Sequence, residues 1–188
     1  RDAGVVLLEY NPINPLRHPW RWTLHQRDHR KLLVVDGTVA FIGGVNISSV
    51  YSRPPSADQR ESVVRWRDTH LRVEGPVVGE LQRLYLDHWR SRASRQPQPA
   101  DYFPPLNVAG DHSIAVTACA AGRRRNPLYR AMLGAIKGAR RNVCITSAYF
   151  VPTRRLLRAL TDAARRGVDV RLALPGISDV WAPLAAGR

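Results

Sequence analysis

The chain has 188 residues, 44% of them hydrophobic and 23% charged, a composition that can bury a core and excludes a disordered or collagen-like chain. No apolar run approaches the roughly 18 residues of a membrane-spanning helix, and the Arg1 to Val6 stretch lacks the basic-then-apolar layout of a secretory leader. A formal net charge of +14 points to an anionic partner, discounted because 27 of the 29 basic residues are arginine, a bias that coding composition alone can produce.

The chain opens on Arg1 and its single methionine is Met132, so it reads as a window of a longer protein. Gly4 to Glu9 is a short apolar run expected to be a strand, stopped by Pro12 and Pro15, which remove backbone donors. A loop carrying Trp20 and Trp22 follows. Arg30 to Val35 reads as a second strand, Asp36-Gly37 as a tight turn, and Thr38 to Ile42 as the returning arm of a hairpin. The proline-bearing stretch Arg53 to Ser62 reads as a surface loop, and Arg67 to Glu74 alternates as a strand does.

Gly75-Pro76 opens a helix with proline where a missing donor costs nothing, and Val77, Val78, Leu81, Leu84, Tyr85 and Trp89 form its core-facing stripe. Residues 93–112 shift to Pro, Gln, Arg and Asp and are expected to form a linker. Beyond it, strand (Ser113 to Cys119), helix (Asn126 to Arg140), strand (Val143 to Ser147), helix (Thr153 to Arg166) and strand (Val168 to Leu174) alternate. That order predicts an α/β fold with a mostly parallel or mixed sheet flanked by helices. Leu156, Leu157, Leu160, Ala163 and Ala164 are expected to face that sheet, and Gly167 sits where a helix C-terminus needs a left-handed residue. Cys119 and Cys144, with no Cys-x-x-Cys or clustered His beside them, are expected as reduced, buried thiols, so neither a metal site nor a cofactor is expected.

The chemistry concentrates in Arg27-Asp28-His29-Arg30-Lys31, followed by Asp36 and then Gly43-Gly44-Val45-Asn46. On a strand, residues two apart share a face, so His29 and Lys31 project together while Arg30 points away. An imidazole beside an ammonium group can attack or protonate at phosphorus while the cation holds a phosphoryl oxygen. The hairpin returns Gly43-Gly44 towards His29, where Asn46 can donate its side-chain amide to the same anion.

This spacing of His-x-Lys, Asp and Gly-Gly-x-Asn resembles the motif of the phospholipase D superfamily. The segments Trp66 to Pro76, Ala100 to Pro105, Ala148 to Pro152 and Ala163 to Val170 resemble, within it, the bacterial cardiolipin synthases. Many members carry Ser where this chain has Gly44. The resemblance implies a metal-independent, two-step phosphodiester exchange in which one His forms a phosphohistidine and the His of a second motif protonates the leaving alcohol. Carried onto this chain, His29 is one of that pair, as nucleophile or as acid/base, and Lys31 and Asn46 hold phosphoryl oxygens. Asp68 stands where the family has a carboxylate that orients the catalytic imidazole. Asp36 belongs to the motif but falls on the opposite strand face, so a structural role is expected. His25 and Arg27 are candidate lining residues of the anion pocket, and Tyr149 a candidate at its lip.

Only His29 among the six histidines is followed at +2 by Lys. The expectation is therefore that residues 1–92 are the C-terminal part of a first half-domain, 93–112 the linker and 113–188 the start of a second half-domain whose own His-x-Lys lies further on. An echo of Gly4-Val5 and Pro12 in Gly167-Val168 and Pro175, offset by 163 positions, places the counterpart of His29 beyond Arg188. The implied partners are phosphatidylglycerol and an anionic membrane surface, approached peripherally from the cytoplasmic side of a bacterial inner membrane, with no nucleic acid. The implied product is cardiolipin, and the isolated window is expected to be inactive. A phospholipase D-type phosphodiesterase or nuclease using water, and an inactive anionic-lipid-binding module, are the alternatives.

Overall fold

A computed structural model describes residues 3–10, 28–47, 68–91, 93, 102–119 and 126–174. The chain divides into two compact units, residues 1–116 and 117–188. Both combine helix and sheet, as an α/β chain should.

In the first unit, β1 (Lys31–Val35), β2 (Val39–Gly43) and β3 (His70–Glu74) form an antiparallel sheet in the order β1-β2-β3. Asp36-Gly37 does make the turn: both residues have positive φ (51° and 66°), and Thr38 N–H donates to the Val35 carbonyl at 3.0 Å. A side chain on Gly37 would also strike the backbone of Tyr102 at 2.6 Å, so the turn is roofed by the 102–104 segment. Register aligns Lys31, Gly43 and His70 in one row and Leu32, Ile42 and Leu71 in the next. Directly opposed residues share a face.

One face carries Leu32, Val34, Ala40 and Ile42, and it is covered by α1 (Val77–Arg90) through Val78 and Leu81. The stripe of α1 differs from the expected one. Val78, Leu81, Gln82 and Leu86 are buried, whereas Tyr85 is exposed although it shares the Val78 and Leu81 side of the helix.

Two expected strands are absent among the described residues. Residues 5–10 and 113–119 run without a ladder partner, and Val5, Val6 and Leu7 are 65 to 73% exposed. An apolar run supplies strand propensity, but a strand needs a neighbour that accepts its hydrogen bonds. Leu106, in the expected linker, and Val116, in the expected strand after it, lie against the Ala40, Val78 and Leu81 cluster.

In the second unit α2 (Pro127–Gly138) is followed by a β-α-β crossover, β4 (Asn142–Thr146), α3 (Arg154–Arg165) and β5 (Asp169–Ala173), with β4 and β5 parallel. The helix starts follow capping chemistry. Asn126 Oδ1 accepts from Tyr129 N–H at 2.9 Å, and Thr153 Oγ1 accepts from Leu156 N–H at 3.3 Å. Tyr129 and Thr153 hydroxyls bond to each other, tying the two starts together. The end of α3 is a Schellman turn on Gly167 (φ 87°), with Gly167 N–H on Ala164 O and Val168 N–H on Ala163 O. Arg166 reaches across to the Ile136 and Lys137 carbonyls that end α2.

Leu156, Ala159, Leu160 and Ala163 make the core with Ile136 and Val168. Leu157 and Ala164, expected on that side, are exposed instead, since the helical repeat carries them past the buried stripe. Cys119 and Cys144 are free thiols, and both are exposed rather than buried. Cys144 alternates with the inward Val143 and Ile145 on β4 and so faces away from α3, while Cys119 sits in the unpaired segment, bonded to Asn126. Among the described residues no helix is long and apolar enough to cross a membrane.

Candidate active site

The motif residues gather at one end of the first sheet. Lys31 begins β1, Gly43 ends β2, and His70 begins β3, so His29, Gly44, Asn46 and Asp68 all lie at or just past the same edge. Asp36 lies at the other end of the sheet, in the hairpin turn, with a φ of 51°. Leu32 and Val34 face α1, so Lys31, which alternates with them on β1, points to the side that α1 does not cover.

Lys31 Nζ donates to the His29 carbonyl at 2.7 Å, which holds the ammonium group beside the histidine while leaving it two further N–H donors. The His29 residue is exposed, as is Asn46.

The two glycines let β3 and its leading residues approach. A Cβ on Gly43 would lie 2.3 Å from Thr69 O and 2.6 Å from His70 Cα; one on Gly44 would lie 2.2 Å from Asp68 Oδ1. Gly44 N–H also donates to Thr69 O at 3.0 Å. Glycine at position 44, where many superfamily members have Ser, thus leaves the Asp68 carboxylate the space it occupies. The structure brings Asp68 to Gly44.

A second cluster holds the backbone on either side of His29. Arg30 Nε and Nη2 both bind the Asp28 carboxylate, at 2.9 and 2.7 Å, and Arg30 N–H donates to Asp28 Oδ1 at 3.0 Å. From the last turn of α1, His88 presents Nε2 to Asp28 Oδ2 at 3.1 Å and Nδ1 to Arg30 Nη2 at 2.9 Å. Because Arg30 can only donate, Nδ1 must accept, which leaves the proton of the neutral ring on Nε2, facing Asp28. The Tyr10 ring packs on His88 at 4.5 Å between centroids. Burial alone would raise the Asp28 carboxyl, but the Arg30 hydrogen bonds and charge, with His88, outweigh it and hold its pKa below the ordinary 3.8. The same hydrogen bond to Asp28 raises Arg30. Strand parity had sent Arg30 away from His29, and the cluster shows where it goes; nothing in the sequence spacing marked His88 as its partner, 58 positions away.

Of the other predicted residues, His25 and Arg27 lie outside the described residues. Tyr149 belongs to the second unit, just beyond β4, and is 48% exposed. No group of three or more His, Cys, Asp or Glu side chains among the described residues is placed to hold a metal ion.

The profile of a family described as "Cardiolipin synthase, PLD-like domain" matches residues 132–187. Over 181 residues the chain is 36% identical to a cardiolipin synthase of Geobacillus sp. (strain WCH70), covering 93% of this chain and 34% of that protein. It is 33% identical over 183 residues to the cardiolipin synthase of Halalkalibacterium halodurans, covering 95% and 35% of the two chains. It is 34% identical over 193 residues to cardiolipin synthase 2 of Bacillus cereus, covering 100% and 35%. The chain thus spans about a third of the length of the curated relatives it matches. No solved structure matches it.

Proposed function

Since the chain belongs to the phospholipase D superfamily, with cardiolipin synthases as its relatives, we propose that it carries the first His-x-Lys motif of a phosphatidyltransferase that makes cardiolipin from two phosphatidylglycerols. The observation that carries this reading is the gathering of His29, Lys31, Asn46 and Asp68 at one end of one sheet. A cation and an amide flanking an imidazole suit a phosphodiester: they neutralise the charge that grows on the phosphoryl oxygens as phosphorus becomes five-coordinate.

In the first step a histidine nitrogen bonds to phosphorus as the bond from phosphorus to the headgroup glycerol breaks, and a second histidine protonates the departing oxygen. In the second step that histidine takes the proton from a hydroxyl of another phosphatidylglycerol, whose oxygen displaces the first histidine from phosphorus. His29 supplies one of these two rings and a second His-x-Lys, outside the 188 residues, the other. Asp68, held against Gly44 at the same end of the sheet, orients the imidazole. Residues 1–92 and 113–188 then belong to two successive half-domains, acting on anionic lipid at the cytoplasmic face of a bacterial membrane.

The test is conversion of phosphatidylglycerol to cardiolipin, followed by mass spectrometry, in the protein that carries both motifs. His29→Ala should reduce the product to background, and the 188-residue chain alone should produce none. Cardiolipin formed by the His29→Ala protein would refute the assignment, and turnover by the 188-residue chain alone would refute the need for a second motif.

A further inference from the structure

β3 places a histidine in the same row as the motif lysine. His70 is opposite Gly43, which is opposite Lys31, so their side chains leave the sheet on the same face, the one α1 does not cover. Strands are about 4.8 Å apart, which puts the Lys31 and His70 backbones about 10 Å from each other with only a glycine between them. The His70 ring leans into that gap: a Cβ on Gly43 would come within 2.8 Å of its Nδ1. His70 is an exposed residue. The next row on this face is Leu33, Phe41 and Arg72, apolar on the two strands nearest the site. Arg72 is turned along its own strand to Glu74. The donors on this face therefore concentrate in the row next to His29.

We propose that His70 is a binding residue for the phosphodiester of an anionic glycerophospholipid, gripping it from the β3 side while Lys31 grips it from the β1 side across Gly43. A phosphodiester has two unesterified oxygens, and the ammonium group and imidazole N–H reach one each across the space that a side chain at position 43 would fill. This explains a feature the motif chemistry leaves unused, a histidine laid over a glycine at the open end of the sheet. The proposal rests on reading His29 and Lys31 as the phosphodiester site.

The experiment is an NMR titration of the 188-residue chain with dihexanoylphosphatidylglycerol below its micelle concentration, following ring resonances of His29 and His70 and the side chain of Lys31. All three should shift together. His70→Ala should weaken binding about tenfold, the loss expected for one charge-assisted hydrogen bond. His70→Gln, which keeps an N–H donor at similar reach, should recover part of that loss; a merely structural histidine would show no such rescue. If His29 and Lys31 shift while His70 does not, and His70→Ala binds as the parent does, the His70 assignment is overturned and the motif reading stands. If none of the three responds to the lipid, both fall together.

Discussion

Replacing Asp28 with Asn tests whether the ion cluster behind His29 sets the motif backbone. The carboxylate receives two side-chain hydrogen bonds and one backbone hydrogen bond from Arg30, and a further contact from His88. The Asp28 and Arg30 side chains are 23% and 33% exposed and that of His88 is 25% exposed, so the pair is screened less than a surface salt bridge, yet it is not dry. Asn preserves shape and one acceptor but removes the charge, which should cost about 2 kcal/mol, within the range for charge-assisted hydrogen bonds. In a unit of this size that loss corresponds to a fall in melting temperature of roughly 6–10 °C.

The pH dependence gives the sharper test. The Asp28 pKa is lowered in the folded chain, so its contribution is present above the unfolded value of 3.8 and is lost as pH falls through the lower folded value. Urea unfolding of parent and Asp28→Asn chains should therefore show the full difference at pH 7 and a shrinking one below pH 3.8. A difference that is the same at pH 7 and at pH 2 would refute the electrostatic account and leave only packing. Under the proposed function, cardiolipin formation should fall along with stability, because Asp28 and Arg30 flank His29 in the chain.

Two further perturbations separate fold from site. Gly43→Ala sets a methyl group against backbone atoms of Thr69 and His70, which cannot move without shifting β3, and should cost about 3 kcal/mol in urea unfolding, at the upper end of overpacking penalties. Gly44→Ala meets only the end of the Asp68 side chain, so it should leave the melting temperature within about 3 °C of the parent while lowering cardiolipin formation at least tenfold. Equal effects of the two on stability would contradict the geometry. In the second unit, Thr153→Ala removes the cap of α3 together with its bond to Tyr129 and should cost about 1 kcal/mol by urea unfolding; no loss would show that Thr153 does not cap the helix in solution.

Much of this was legible in the order of the residues because the physics involved is local. Asp36-Gly37 tolerates the left-handed conformations a tight hairpin needs. Thr153 offers a hydroxyl to a free amide, and Gly167 accepts the positive φ that ends α3. The two-residue alternation of a strand was enough to separate Lys31 from the α1-facing Leu32 and Val34.

Distant contacts were not legible. Strand propensity at residues 4–9 and 113–119 found no ladder partner among the described residues, and thiols expected to be buried lie on uncovered faces. The identity of Arg30's partners depended on α1 returning His88 to the start of β1.

The sequence by itself determined the motif, its spacing, the hairpin that folds the motif back on itself and the resemblance that names the family, since each depends on residues that are neighbours along the chain. Only the tertiary structure decided which other groups meet that motif. The antiparallel pairing of β3 with β2 brings Asp68 against Gly44 and His70 over Gly43, and the packing of α1 supplies His88. Strand register and helix docking are set by the burial of whole faces, and no short stretch of sequence carries that information.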